Sequence, residues 1–214
     1  MKGLIRNDLY AMENNILVSF LVAMVLGGLP VLVRGNSNLT QMILSMQIYV
    51  FIVNMGSSLH ADEVCGWDRF EITLPVQRRQ IVRAKYLLFL LLFALGAGVG
   101  TLTLGVVSLT GGAPAFRDVF HGYAFGLTLS ALSSAILYPL VLKFGTDKSD
   151  IFLILSGLVS CGMLVLVSSG VSLLTGEMNM KAPLVDLVSV STALTLFAAS
   201  YFVSVRILRD KEFA

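Results

Sequence analysis

The hydrophobic positions of this chain fall into long blocks separated by short charged segments. Six stretches contain no Asp, Glu, Lys or Arg: residues 14–33, 35–61, 86–116, 119–142, 151–176 and 187–205. They run to 20, 27, 31, 24, 26 and 19 residues. A hydrocarbon layer about 30 Å thick is crossed by about 20 helical residues. Each block therefore suffices for one crossing, and none for two. Blocks of this length satisfy their backbone inside a bilayer as helices. The pattern predicts an all-α membrane protein with six transmembrane helices, near 15–33, 39–60, 85–109, 120–142, 151–174 and 185–206. Six crossings put both termini on one side. No repeat or linker divides the chain, so residues 1–214 read as one transmembrane domain.

Two further segments carry helical periodicity outside these spans. In residues 1–13, Leu4, Ile5, Leu9 and Met12 recur at helical spacing, while Lys2, Arg6 and Glu13 point elsewhere. This predicts an N-terminal interfacial amphipathic helix; a charged lead-in to the first span is the plainer reading. Between spans 2 and 3, residues 61–85 form the longest charged segment, of which 61–80 read as one surface segment. Within it Val64, Trp67, Phe70 and Leu74 lie at spacings of three, three and four, which is one face of a helix. Asp62, Asp68, Arg69 and Glu71 occupy its other faces, and Pro75 ends it. Such a helix is too short and too charged to cross the membrane. It lies on the surface, either in the lipid headgroups or docked into a partner's groove.

Composition narrows the class. Hydrophobic residues make up 56% of the chain and charged residues 13%, too few charges to cover a soluble globule. A net charge of +2 without a basic cluster on a soluble face excludes nucleic acid as a partner. Of the fifteen Lys and Arg residues, only Arg34, Arg117 and Lys181 fall on the side away from the termini. That bias predicts cytoplasmic termini. Arg78, Arg79, Arg83 and Lys85 then mark the inner start of span 3. Asp8 and Glu13 precede span 1, and no small-residue cleavage site follows near Pro30, so this span reads as a retained anchor. Cys65 and Cys161 lie at different depths and lack metal-ligand spacing.

Within the spans the chemistry is sparse. Span 3 carries Gly96 and Gly100, a small-xxx-small pair that lets a neighbouring helix approach closely. Span 2 is the most polar. Its Gln47 and Asn54, seven apart, share a face, and Ser156 and Ser160 follow on span 5. These four are candidates for a pathway lining; the same groups serve equally as hydrogen-bonding glue between helices. The lack of charge within the spans argues against a proton relay and suits an amphipathic or apolar cargo. His60 and His121 stand at opposite faces of the membrane, and no carboxylate pair or metal cluster joins them, so no enzyme is expected. No Gly-x-x-x-x-Gly-Lys-Ser/Thr loop occurs, which leaves no ATP site of that kind in the chain.

Three separated blocks carry a resemblance. Asp62-Glu63-x-x-Gly66-Trp67-Asp68-Arg69-Phe70-Glu71-x-Thr73-Leu74-Pro75-Val76, continuing through Arg78-Arg79 to Lys85-Tyr86, resembles the signature of a small ABC-2-type permease family. The permease subunits of phenol-soluble-modulin exporters in Gram-positive bacteria belong to it. The opening Met1-Lys2-Gly3-Leu4 with Asp8-Leu9-Tyr10 is similar to the family's N-terminus, and Tyr138–Gly145 with Lys148 to its inner loop between spans 4 and 5. The likeness covers Met1 to about Asp150; beyond that only hydrophobicity matches.

The resemblance implies an ABC-2 exporter-like fold in which residues 62–75 are a cytoplasmic coupling helix seated on a separate ABC ATPase subunit. Trp67, Phe70 and Leu74 would be apolar anchors. Asp62, Glu63, Asp68, Arg69 and Glu71 would pair with the ATPase's charges, and Pro75 would close the segment. Lys143, Phe144, Gly145 and Lys148 would make a second, smaller contact. It further implies ATP and Mg in the partner rather than here, a second permease copy (homodimer or related heterodimer), spans 2 and 5 near the dimer axis, and a bacterial plasma membrane. A membrane channel, immunity factor or scaffold working without an ATPase is the competing expectation.

Overall fold

A computed structural model describes residues 2–33, 36–67, 70, 77–110, 114–145, 149–175 and 182–210. Among these residues there are seven helices and no strand: α1 (Lys2–Ala11), α2 (Glu13–Leu32), α3 (Ser37–Val64), α4 (Arg78–Leu109), α5 (Phe116–Phe144), α6 (Ser149–Thr175) and α7 (Pro183–Asp210). All but α1 are long and apolar enough to cross a membrane.

The helix ends follow from local chemistry. Asn36 precedes α3, and its side-chain oxygen accepts the Leu39 N–H at 3.2 Å, satisfying one of the first-turn donors a helix leaves unpaired. Pro183 opens α7, where the missing N–H costs nothing. Gly145 ends α5 with φ 87°, a conformation that favours glycine, and donates its N–H to the Val141 carbonyl. Asp118 in the first turn and Lys143 in the last turn of α5 complement the helix dipole.

The spans reach further than the charge-free blocks that announced them. Span 2, expected over 39–60, runs as α3 through Val64; span 3, expected from 85, begins as α4 at Arg78. Asp62 and Lys85 therefore lie inside long helices, not in a solvated connection. A helix keeps its hydrogen bonds wherever φ and ψ allow, so charge alone does not end it.

Glycine sets the packing of the centre. A Cβ on Gly96 of α4 would stand 2.8 Å from Ile48 Cα of α3, so these backbones meet directly, as the Gly96–Gly100 pair predicted. Across the other side of α3, Gly122 and Gly126 of α5 do the same: a Cβ there would lie 3.0 Å from Gln41 O and 3.1 Å from Ser45 Cα. This second pair, four residues apart, went unread in the sequence. Between the two glycine pairs α3 is enclosed: Leu44 and Ile48 are buried, and Phe51 and Met55 share one core cluster with Leu88, Leu92, Leu132 and Tyr138. Its polarity follows: a helix surrounded by protein has partners for polar side chains, which lipid lacks.

The outer helices are the converse. α2 exposes Leu17, Leu21, Met24 and Val25, α6 exposes Ile154, Leu158 and Leu166, and α7 exposes Leu187, Phe202 and Val203. Such faces suit a hydrocarbon surround. α6, which is span 5, is peripheral within the chain. α3, which is span 2, is enclosed except for a stripe of Met42, Met46 and Val53.

α1 is not a free surface helix. It packs at the end of the bundle, with Leu4, Asp8 and Met12, one turn apart, all buried. Ile5 and Leu9 are half-buried beside them.

Candidate functional site

α3 and α5 run in the same direction, since Gln41 faces Gly122 and Ser45 faces Gly126. The end of α3 at Val64 and the end of α5 at Phe144 therefore share one end of the bundle. The start of α4 and the end of α7 lie there too. This is the end expected in the cytoplasm, and we call it the inner end.

At the inner end, α3 stops where Gly66 takes φ 68°. Cys65 N–H still donates to the Ala61 carbonyl at 3.0 Å, closing the last turn. A new helical bond, Phe70 N–H to the Gly66 carbonyl at 3.2 Å, begins beyond the glycine. The expectation of one helical face from Val64 to Leu74 is therefore corrected. Val64 belongs to α3, and the left-handed residue at Gly66 separates it from Trp67 and Phe70. Those two rings lie 5.5 Å apart, Trp67 half-buried and Phe70 55% exposed. Asp68, Arg69, Glu71, Leu74, Pro75 and Lys148 lie outside the described residues, as does the side chain of Glu63.

The second expected contact closes α5 at the same end. Lys143 is exposed, its Nζ 5.4 Å from the Phe144 ring centre. Phe144 is 63% exposed and touches Phe152 of α6 at 6.0 Å between centroids. Gly145 follows as the terminator.

Beneath these surfaces lies a site the sequence did not suggest. Lys85, two turns inside α4, donates from Nζ to Asp8 Oδ1 of α1 at 2.6 Å and to Asp62 Oδ2 of α3. All three side chains are buried. Burial pushes the Asp8 carboxyl above its ordinary range, and the Lys85 charge pulls it partly back. Two carboxylates share one ammonium, so the group stands only as a unit. It ties α1 to α3 just before the surface segment and to α4 just after it. The signal available was Asp8 itself, on the same helical face as Leu4 and Met12. The Asp62 carboxylate is turned inward and held by Lys85, so it does not stand among the outward charges expected at a docking surface.

Three of the four pathway candidates bond to neighbouring helices. Gln47 is fully buried, and its Nε2 donates to the Ala23 carbonyl of α2 and to Thr103 Oγ1 of α4, both at 2.8 Å. Gly27 allows this: a Cβ there would come 2.7 Å from Thr103 Oγ1 and 3.0 Å from Gln47 Nε2. Asn54 donates to Ser19 Oγ at 2.8 Å, on the same side of α3, and borders a shallow groove between α2 and α3. Ser160 receives Ser133 Oγ–H at 3.2 Å, joining α5 and α6, while Ser156 bonds back to the Leu153 carbonyl of its own helix. Gln47, Asn54 and Ser160 thus knit helices within this chain.

The outer end has its own buried pair. His121 Nδ1 of α5 sits 2.6 Å from Asp186 Oδ1 of α7. The sequence reading placed His121 at the rim of its span; it is buried. The pair borders a cleft of about 120 Å³ walled by Phe125, Leu164 and Val185. His60 stays exposed near the inner end of α3.

Six apolar crossings with buried polar ties between them define a multi-pass helical membrane protein. A family model described as ABC-2 family transporter protein matches residues 3–209, and the chain belongs to that family. The match reaches through α6 and α7, where the three sequence blocks gave no likeness. No curated protein and no solved structure matches the chain.

Proposed function

We propose that this chain is the permease subunit of an ATP-driven exporter whose ATPase is a separate polypeptide, in the plasma membrane of a bacterium with both termini in the cytoplasm. The observation that carries the reading is the family match over nearly the whole chain. The inner-end geometry supports it: the Trp67–Phe70 pair projects beyond the Gly66 break, directly after a helix fastened by the Asp8–Lys85–Asp62 triad.

In this reading the segment 63–75 is the handle on which the ATPase acts. Trp67, Phe70 and Leu74 are the apolar anchors in its groove, and Glu63, Asp68, Arg69 and Glu71 pair with its charges. Pro75 ends the handle, and Lys143, Phe144, Gly145 and Lys148 make the lesser contact. Aromatic and Arg side chains usually dominate such interfaces. Asp62 has a different part here: with Lys85 and Asp8 it joins the handle to α3, α4 and α1 as one body. ATP and Mg bind the partner, and a force on residues 63–75 shifts the helices between two packings.

Six spans call for a second copy, and the open Met42–Met46–Val53 stripe of α3 is the face offered to it. The cargo is amphipathic or apolar, moving along a path completed between copies.

The test is co-purification. The chain is co-expressed with an ABC ATPase, and the complex is isolated from detergent with Trp67→Ala and Phe70→Ala. Loss of the ATPase with intact folding of the permease is expected. Undiminished association would overturn the docking assignment and leave a channel or scaffold as the better account.

A further inference from the structure

A cavity of about 600 Å³ opens at the inner end between the start of α4 and the end of α7. Its walls include four arginines, Arg78 and Arg79 from α4 and Arg206 and Arg209 from α7, together with Phe202 and Val205. Phe202, Arg206 and Arg209 lie one turn apart on one face of α7. Phe202 is 70% exposed, so an apolar wall runs outward from the basic rim. Arg78 holds the two walls together: its Nη1 donates to the Leu208 carbonyl at 2.8 Å and the Arg209 carbonyl at 2.9 Å, closing the last turn of α7. Arg79 and Arg206 are exposed and make no hydrogen bond or ion pair among the described residues. No acidic side chain lines the cavity among those residues.

Basic residues at the inner ends of spans are ordinary as topological signals. Such residues usually spread around the rim of a bundle. Here four converge from two helices on one concavity with an apolar wall. We propose that this cavity binds the headgroup of an anionic phospholipid, with phosphate oxygens on Arg79, Arg206 and Arg209 and an acyl chain along Phe202. Guanidinium forks match phosphate oxygens in pairs, and basic pockets between membrane helices on the cytoplasmic side suit such headgroups. Gln77 brings the cavity within two residues of Pro75, where the ATPase handle ends, but the site uses none of the handle's side chains and stands whether or not that reading holds.

The experiment uses the full-length chain in detergent, with native mass spectrometry to count retained lipid. Phosphatidylglycerol and phosphatidylcholine with matched acyl chains are titrated in parallel, and inorganic phosphate is added as a competitor. Preference for phosphatidylglycerol is expected, falling on the order of tenfold in the double variant Arg206→Gln/Arg209→Gln. Arg83→Gln, an exposed arginine of the same end outside the cavity, changes it little. Arg206→Lys/Arg209→Lys keeps the charge and the topology signal and gives an intermediate loss, which guards against misfolding of the Gln pair. Equal loss in Arg83→Gln, or no preference between the two lipids, would reduce the cavity to general surface charge and end the proposal. Full displacement by millimolar phosphate, with Phe202→Ala without effect, would make the ligand free phosphate and end the lipid assignment.

Discussion

The two ends of the bundle bury charge differently. At the inner end one lysine of α4 holds two aspartates, one from α1 and one from α3. At the outer end one histidine faces one aspartate across two helices. The inner group cannot lose its cation without stranding two carboxyls. The outer pair joins one imidazole to one carboxyl, so losing either member leaves a single group without its partner. The first arrangement therefore acts as a fastening of three elements around the surface segment. The second is a local tie beside a cleft.

This contrast orders the expected effects of substitution. Lys85→Met should cost the most, about 3–5 kcal/mol, since it leaves two buried carboxyls unpaired. Thermal unfolding in detergent would read it, together with release of α1 to proteolysis between Leu9 and Glu13. Asp186→Asn should cost about 1–3 kcal/mol, the ordinary penalty for weakening a buried polar contact. If it proves the more damaging of the two, the ranking of the ends is reversed. Gln47→Leu supplies an uncharged benchmark. Thr103 keeps its bond to the Val99 carbonyl, so nothing is stranded by the loss, and about 1 kcal/mol is expected in the same assay.

The smallest effect is one of pH. A raised Asp8 pKa means that the packed state holds that proton more tightly than the unfolded chain does. Its contribution is whole below the ordinary aspartate value of 3.8 and is lost as pH rises through the raised value. The stability difference between the natural chain and Asp8→Asn should shrink over that rise. A difference flat with pH would show that Asp8 does not titrate on unfolding.

The legibility of the sequence divides along the same line. Spans were readable because the bilayer sets a length and excludes isolated charge, so hydropathy alone locates them. Their ends were not, because Asp62 and Lys85 neutralise one another and the helices run on through them. The close approach at Gly96 was readable from spacing. That at Gly122 and Gly126 follows the same rule and was passed over among larger neighbours. Gln47 and Asn54 were rightly placed on one face of span 2. What that face meets depends on where Gly27 lets α2 come, which is a tertiary fact. For the surface segment, the Cys65-Gly66 step was the available warning that one helix would not run from Val64 to Leu74.

The triad also bears on the order in which the protein can be made. Asp8 and Lys85 are 77 residues apart. During synthesis the first helix emerges while its cation is still untranslated, and two crossings must be inserted before the third delivers it. Until then Asp8 has only water or lipid headgroups for company, so α1 seats late, as a clasp shut on a half-built bundle.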